Sequence, residues 1–318
     1  MRYYRIFFII LIMFLLSSCA GKQVFNNNDL LVYSLNTKDR INHPFFPVLI
    51  VEEPEKLYNR IGKPSVKTNS ANGNLSFYVD SKIPVVYWEE REFKTDRGKY
   101  KNSIYRIHFE KTPSGLTSGS NVGLIFIMTQ NAMGEPVLFS TVHTCGCYLS
   151  FTPTKFLSKE SYPEGWNTKR QDIYGESLPG LIDTGNFKSK SFKLIVKIRT
   201  GTHRVVDIEV SDKKNNFDIP IGIKLVKDLE NLSLKQGGTV SFFDNKGERK
   251  GYVKDSFKFW EKLLMGWWVF DMKVGVDKKL GVDTNDGTQF YTSLKPWARD
   301  ASDMRDFKTF LEYWGWNL

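Results

Sequence analysis

Residues 139–151 read FSTVHTCGCYLSF, and they hold one of the four histidines and two of the three cysteines of this 318-residue chain. The β-branched and aromatic residues of this stretch predict a β-strand that runs at least as far as His143. Because alternate residues of a strand share a face, His143, Cys145 and Cys147 should point in the same direction. We therefore take these three residues as candidate metal ligands, and the two cysteines also as a candidate disulfide.

Convergence of the three side chains requires a break in the strand. Same-face neighbours on a regular strand lie roughly 6.5 Å apart, at a rise of about 3.3 Å per residue, whereas a zinc–sulfur bond is only about 2.3 Å long. Gly146 is the residue at which the strand can bulge or turn to bring the two thiols together. Three roles stay open for the cysteines: a zinc or copper site completed by His143, a thiol–disulfide couple, or two small core residues.

The first 18 residues have the pattern of a secretory signal. Two arginines precede an unbroken apolar run at 6–16, which is too short to span a bilayer as a mature helix and has the length of a signal-peptide core. The sequence Leu16-Ser17-Ser18-Cys19 that follows resembles the lipobox of bacterial lipoproteins. The resemblance covers the leader alone. It implies that Cys19 is acylated, with palmitate as one acyl group, and that this residue becomes the first of the mature protein.

This resemblance also implies where the protein resides. A lipid on Cys19 would anchor the chain to the bacterial cell envelope. Ala20 stands where many inner-membrane lipoproteins carry an aspartate, which favours the outer membrane in a Gram-negative cell. The expected organisation is a signal peptide at 1–18, a lipidated tether at 19–28 and a single β-rich domain at 29–318, with an aromatic helical region from about 255 onward.

The chain is basic, with a formal charge of +10. Loss of the leader would lower this charge to +8, because Arg2 and Arg5 are removed and no acid accompanies them. The remaining lysines and arginines are scattered, and pairs such as Lys278-Lys279 are expected on surface turns. Since no nucleic-acid-binding motif is present, we expect no nucleic-acid partner. The candidate partners are the membrane, reached through the lipid, and an anionic lipid, a glycan or a protein.

Short apolar runs separated by turn-rich intervals predict a mainly β fold with helical additions. The strands are expected at 30–35, 48–51, 75–79, 84–88, 105–109, 122–129, 137–142, 192–199 and 203–210. A helix is expected from Pro54 to a stop at Gly62, and a hairpin around 244–247. The predicted architecture is an antiparallel sandwich or barrel-like sheet with C-terminal helices packed on it.

The last quarter of the chain is rich in aromatic residues, with six of the eight tryptophans after Asp255. Apolar spacing predicts an amphipathic helix at 256–269. A second helix, capped by Ser302, would turn inward Met304, Phe307, Phe310, Leu311 and Trp314. This spacing favours packing against a sheet, and the alternative is a carbohydrate platform or a partner interface.

Other catalytic motifs are missing from the sequence, including the Gly-x-Ser-x-Gly elbow, the His-Glu-x-x-His helix and the nucleotide fingerprints. The remaining histidines, His43, His108 and His203, have no spacing that links them to one another or to His143. The sequence therefore favours a lipid-anchored binding or scaffolding module. The alternatives are a metal-binding protein or metalloenzyme centred on His143, Cys145 and Cys147, or a thiol–disulfide protein. No catalytic activity is assigned.

Overall fold

A computed structural model of the chain describes residues 25, 29–69, 72–183, 193–211, 218–283 and 285–318. The predicted signal peptide, Cys19 and nearly all of the tether lie outside these residues, so the lipoprotein assignment stays a prediction. In the part of the chain that is described, none of the helices has the length and apolarity needed to cross a membrane.

Strands dominate the described residues. They are β1 (Leu30–Ser34), β2 (Val48–Glu52), β3 (Lys63–Thr68), β4 (Leu75–Asp80), β5 (Val85–Thr95), β6 (Gly98–Thr112), β7 (Gly119–Gln130), β8 (Pro136–His143), β9 (Ser150–Pro153), β10 (Gln171–Ile173), β11 (Glu176–Leu178), β12 (Lys193–Ile198), β13 (Val205–Ser211), β14 (Ile219–Pro220), β15 (Gly222–Leu225), β16 (Leu232–Ser233) and β17 (Thr239–Val240). The helices are α1 (Thr37–Asn42), α2 (Phe259–Met265) and α3 (Phe307–Tyr313), and short 3₁₀ helices include Leu57–Asn59 and Pro296–Ala298. The predicted mainly β fold with helical additions is confirmed.

Two sheets form the body of the protein. One has six strands in the order β15-β5-β6-β7-β8-β9, in which β5 to β9 follow one another as antiparallel neighbours and β15 joins β5 in parallel. The other has five strands in the order β13-β12-β2-β1-β14, with β12 parallel to β2 and β14 parallel to β1. Both sheets are therefore mixed, whereas the sequence predicted antiparallel pairing.

The six-stranded sheet is buried on both faces because alternate residues of β6 and β7 enter different cores. Tyr105 and Phe126 are register partners in a core shared with the five-stranded sheet. Ile104 and Ile127, the neighbouring pair, belong to a second core that contains residues of α3. β7 consequently has a nearly continuous apolar run from Val122 to Met128, as expected for a strand covered on two sides, whereas β6 also buries polar residues such as Arg106 and His108.

The second core confirms the predicted packing of the last helix. Met304, Phe307, Phe310 and Leu311 are all buried there, while Trp314 is partly exposed. The predicted cap is wrong, however. Asp306 caps α3 by accepting a hydrogen bond from the amide of Thr309. The helix begins later than predicted because Ser302 is buried and Asp303 forms a β-bridge with Tyr291.

The helix predicted after Pro54 is also wrong, because only Leu57–Asn59 form a 3₁₀ turn and the chain then enters β3. A segment this short cannot offset the cost of helix nucleation by itself. The hairpin expected around 244–247 is limited to one bridge between Phe243 and Val253, and β17 pairs instead with β16.

The aromatic stretch at 256–269 differs most from its prediction. Only Phe259–Met265 are helical, and the large apolar side chains face outward. The buried side chains of this stretch are Ser256, Lys258, Glu261 and Val269, so two of the four are charged. Apolar residues occur around nearly the whole circumference of this segment, so their periodicity does not identify the inward face. The inward face is identified by the ion contacts of Lys258 with Glu261 and Asp277.

Candidate functional site

The two cysteines lie in the loop at 144–149 that joins β8 to β9, which we call the cysteine loop. The strand extends to His143 and ends there, and the chain turns at the predicted position, Gly146, whose φ is +90°. The amide of His143 donates to the carbonyl of Cys147 at 2.9 Å, and the amide of Gly146 donates to the carbonyl of His143 at 2.8 Å. This turn sets the Cα atoms of Cys145 and Cys147 5.6 Å apart, within the range that disulfides adopt, and the sulfurs are bonded.

Glycine is the only residue type that fits at position 146 of this turn. A positive φ is unfavourable for residues with a Cβ atom. In addition, the carbonyl oxygen of Tyr291 lies against Gly146, in the space that a Cβ atom would occupy. The cysteine loop is thus packed against the segment around Tyr291, far away in the sequence.

His143 lies beside the cysteine pair. One ring nitrogen of His143 and the two sulfur atoms all lie within 4.8 Å of one another. Nε2 is 3.0 Å from the carbonyl oxygen of His203, so this nitrogen carries the proton and donates it to the hydrogen bond, leaving the lone pair on Nδ1. Burial, followed by the positive charge of Lys258, holds the pKa of His143 well below its ordinary value. The imidazole is therefore neutral.

The other histidines support the structure and do not join this group. His203 stacks on Phe109 at 4.0 Å and donates through Nε2 to the carbonyl of Tyr58, and burial lowers its pKa to about 3. His108 accepts a hydrogen bond from Arg106, and His43 packs on a tryptophan ring. Among the described residues, the metal-binding geometry is confined to His143, Cys145 and Cys147.

Lys278, a buried lysine, binds two main-chain carbonyls of the cysteine loop. The amide of Lys278 donates to the carbonyl of Thr144, and its Nζ donates to the carbonyl of Cys145, each at 2.8 Å. Arg106 in turn donates to the carbonyl of Lys278 at 2.8 Å. Burial lowers the pKa of Lys278 to about 8. The expectation that Lys278 lies on a surface turn is wrong, because its main chain and side chain are both used to bind this loop.

Asp277, the preceding residue, connects the cysteine loop to the start of α2. It accepts hydrogen bonds from the hydroxyls of Thr144 and Ser256. Its carboxylate lies 3.6 Å from Nζ of Lys258, which is 3.9 Å from Glu261. Burial raises the pKa of Glu261. Asp277 thus links Lys258 and Glu261 to the cysteine loop, whose Cys145 carbonyl is bound by the neighbouring Lys278.

The two cysteine residues differ in burial. Cys145 is buried, whereas Cys147 is half-buried and precedes Tyr148 at the protein surface. The Tyr148 ring packs edge-on against His143 at 4.7 Å and lies under the guanidinium of Arg204 at 4.4 Å. Tyr174, largely exposed, extends this rim. A molecule approaching from solvent therefore meets Cys147 before Cys145.

Sequence reasoning found the three central residues but missed the charged groups around them. Asp277 and Lys278 are 133 residues away from their partners Thr144 and Cys145. The one local indication is the three-residue spacing of Lys258 and Glu261, which places both on one side of a helix. No protein-family model, no curated protein and no solved structure matches this chain.

Proposed function

We propose that this chain is a thiol–disulfide exchange protein that uses the Cys145–Cys147 couple. The observation that carries the proposal is the asymmetry of the pair: Cys147 is a half-buried residue, Cys145 is buried, and the ammonium group of Lys278 binds the carbonyl of Cys145. Exchange requires one sulfur that an incoming thiolate can reach and a second that leaves as a stable thiolate.

The electrostatic surroundings favour such a leaving group. The positive charge of Lys258 already disfavours protonation of His143, whose ring lies within 4.8 Å of both sulfurs. Thiolates gain stability near lysine or arginine, and Lys278 is the lysine that contacts the cysteine loop, with Nζ 2.8 Å from the carbonyl oxygen of Cys145. Lys278 acts as a positioning residue, since its ammonium group binds the carbonyl of Cys145.

The exchange step balances with a dithiol as the co-reactant. A substrate thiolate attacks Sγ of Cys147, the sulfur–sulfur bond breaks, and Cys145 leaves as a thiolate. The second substrate thiolate then attacks the substrate sulfur of the mixed disulfide and releases Cys147. The substrate loses two electrons and becomes a disulfide, the chain gains them as a dithiol, and the substrate protons pass to solvent or to the released thiolates. With a disulfide substrate the same steps run in reverse.

The cellular setting belongs to the same proposal. The lipobox-like leader supports a lipid-anchored protein of the bacterial envelope, attached to the membrane through Cys19. Compartments beyond the inner membrane are oxidising, which suits a cysteine pair held as a disulfide.

A second candidate function follows from the geometry around His143. After reduction, Nδ1 of His143 and the two thiolates would supply three ligands for zinc or copper, and a neutral imidazole is the form that binds metal. A bound metal would keep both sulfurs as thiolates and would protect them from oxidation.

Thiol titration of the denatured protein, before and after reduction and chelation, separates the two functions when elemental analysis is done in parallel. For the exchange function we expect two thiols that are gained only on reduction and no stoichiometric metal. One metal per chain, lost in His143→Ala, would establish the metal site instead. Two free thiols in a metal-free native protein would contradict both functions.

A further inference from the structure

A set of large apolar side chains projects from α2 and the residues that follow it. We call this set the aromatic patch, and its main members are Phe259, Trp260, Trp267, Trp268, Phe270 and Trp297. Trp267 is 70% exposed, Phe270 79% and Trp297 82%. Exposed apolar residues are normally scattered singly, so a concentration of this kind marks an interaction surface.

The outward orientation of the patch is built into the fold. The inward positions of the same segment hold Lys258 and Glu261, which contact each other, and Lys258 also contacts the buried Asp277. Arg299 donates to the main-chain carbonyls of Val269 and Phe270 and so joins this segment to the 3₁₀ helix that carries Trp297. Because the buried side is occupied by ionic contacts, the aromatic side chains cannot turn inward without breaking them.

The charge distribution around the patch favours an anionic partner. Between 257 and 273 the only two acids are Glu261, which is buried, and Asp271, which accepts a hydrogen bond from the hydroxyl of Tyr291 at 2.5 Å. Lys262 lies at the rim of the patch, with its ammonium group 5.4 Å from the centre of the Phe257 ring, whereas Lys273 is paired with Glu248 at 3.3 Å. Lys295 is exposed next to the 3₁₀ helix that carries Trp297.

These features match a membrane surface better than a protein or a small ligand. Tryptophan and lysine together are typical of segments that lie in the lipid headgroup region, whereas lysine is depleted in protein interfaces. The cleft between Phe259, Lys262 and Trp267 has a volume of about 180 Å³, below the roughly 300–1,000 Å³ of small-molecule sites. We propose that the aromatic patch inserts into the headgroup region of a membrane that contains anionic lipids.

Tryptophan quenching by brominated lipids tests this insertion on the full chain. The purified protein is reconstituted on phosphatidylcholine vesicles with or without phosphatidylglycerol, both with brominated acyl chains. We expect strong quenching on the anionic vesicles and weaker quenching on the neutral ones. The variant Phe259→Ser/Phe270→Ser keeps all eight tryptophans as reporters and should lose most of the quenching.

Two further variants make the result specific. Lys262→Gln/Lys295→Gln should lower quenching on anionic vesicles alone, because each lysine near an anionic surface strengthens binding by about fivefold. Met133→Ser removes a side chain that is 78% exposed in the β7–β8 turn and should leave quenching unchanged. An N-terminal lipid would hold every variant on the vesicle equally, so differences between variants report the patch.

Several outcomes would overturn the insertion. They are wild-type quenching no greater than that of the Phe259→Ser/Phe270→Ser variant, and quenching that does not depend on anionic lipid. Absence of quenching together with cross-linking of the patch to a protein partner would assign the surface to a protein interface instead. Thiol–disulfide exchange in solution should be unaffected by these variants, so this test is independent of the proposed function.

Discussion

At the scale of single residues, the cysteine loop depends on Gly146. Its φ of +90° and the Tyr291 carbonyl against it exclude any side chain. We predict that Gly146→Ala lowers the free energy of unfolding by about 2–5 kcal/mol, since the left-handed conformation costs about 1–2 kcal/mol and overpacking about 1–3 kcal/mol. Urea denaturation of the oxidised protein measures the change.

Gly134→Ala is the matched control for this substitution. Gly134 has a φ of +75°, and no atom lies within 4 Å of its Cβ position. It should therefore show the conformational cost alone. Equal destabilisation by the two substitutions would contradict the importance of the contact with Tyr291.

The buried histidines predict a pH dependence of stability. Burial lowers the pKa of His203 to about 3, from an ordinary value of 6.5. Between these values the unfolded chain binds a proton that the folded chain does not, so stability is full above about pH 6.5 and falls as the pH drops towards 3. In His203→Asn we expect the dependence of the unfolding free energy on pH to be weaker, by up to the equivalent of one bound proton. Asparagine is chosen because it tolerates the φ of +55° at this position. The same slope in both proteins, from urea denaturation at several pH values, would contradict the neutral His203.

At the scale of elements, the buried ion contacts orient α2. Lys258 lies 3.6 Å from Asp277, and both side chains are almost completely buried. We predict that Lys258→Met destabilises the protein by about 3–5 kcal/mol, because it leaves a buried carboxylate without its cation. Lys262→Met, on the outer side of the same helix, should change stability by less than about 0.5 kcal/mol. A harmless Lys258→Met would show that these contacts do not hold the helix in place.

The sequence predicts elements well where one physical signal dominates. Runs of apolar and β-branched residues locate β7, β8 and the middle of β6, and apolar spacing identifies the inward residues of α3, such as Phe310. The same periodicity fails at α2, since aromatic residues occur on most sides of that helix and its buried face is charged. Strand pairing explains the misplaced cap at Ser302, because the bridge between Tyr291 and Asp303 forms between distant segments.

The candidate site divides in the same way. The spacing of His143, Cys145 and Cys147, with a glycine between the two cysteines, is visible within five residues of sequence. Asp277 and Lys278 are visible only in the fold, which brings them to the cysteine loop across 133 residues. Local patterns cannot show such contacts.

At the scale of the whole molecule, the cysteine loop and the aromatic patch are connected through the same buried charged residues. The cysteine loop and α2 share Asp277, which accepts a hydrogen bond from Thr144 and lies close to Lys258. The redox couple and the aromatic patch are therefore held by the same buried charges.

The lipid anchor is predicted from the leader alone. We expect Cys19→Ser to abolish incorporation of labelled fatty acid and to leave the leader uncleaved. Cys147→Ser, which removes a cysteine outside the leader, is the control and should be labelled normally. Labelling that survives Cys19→Ser would contradict the anchor.

The reduction potential of the Cys145–Cys147 couple, measured on the purified protein in glutathione redox buffers, tests the exchange function most directly. A couple that exchanges should have a potential above about −300 mV, the upper bound typical of disulfides that only stabilise a fold. We also expect Cys147→Ser to abolish reaction with a dithiol substrate. A potential below this bound, or no exchange with a dithiol by the wild-type protein, would contradict the proposed function and leave the disulfide as a structural link in the cysteine loop.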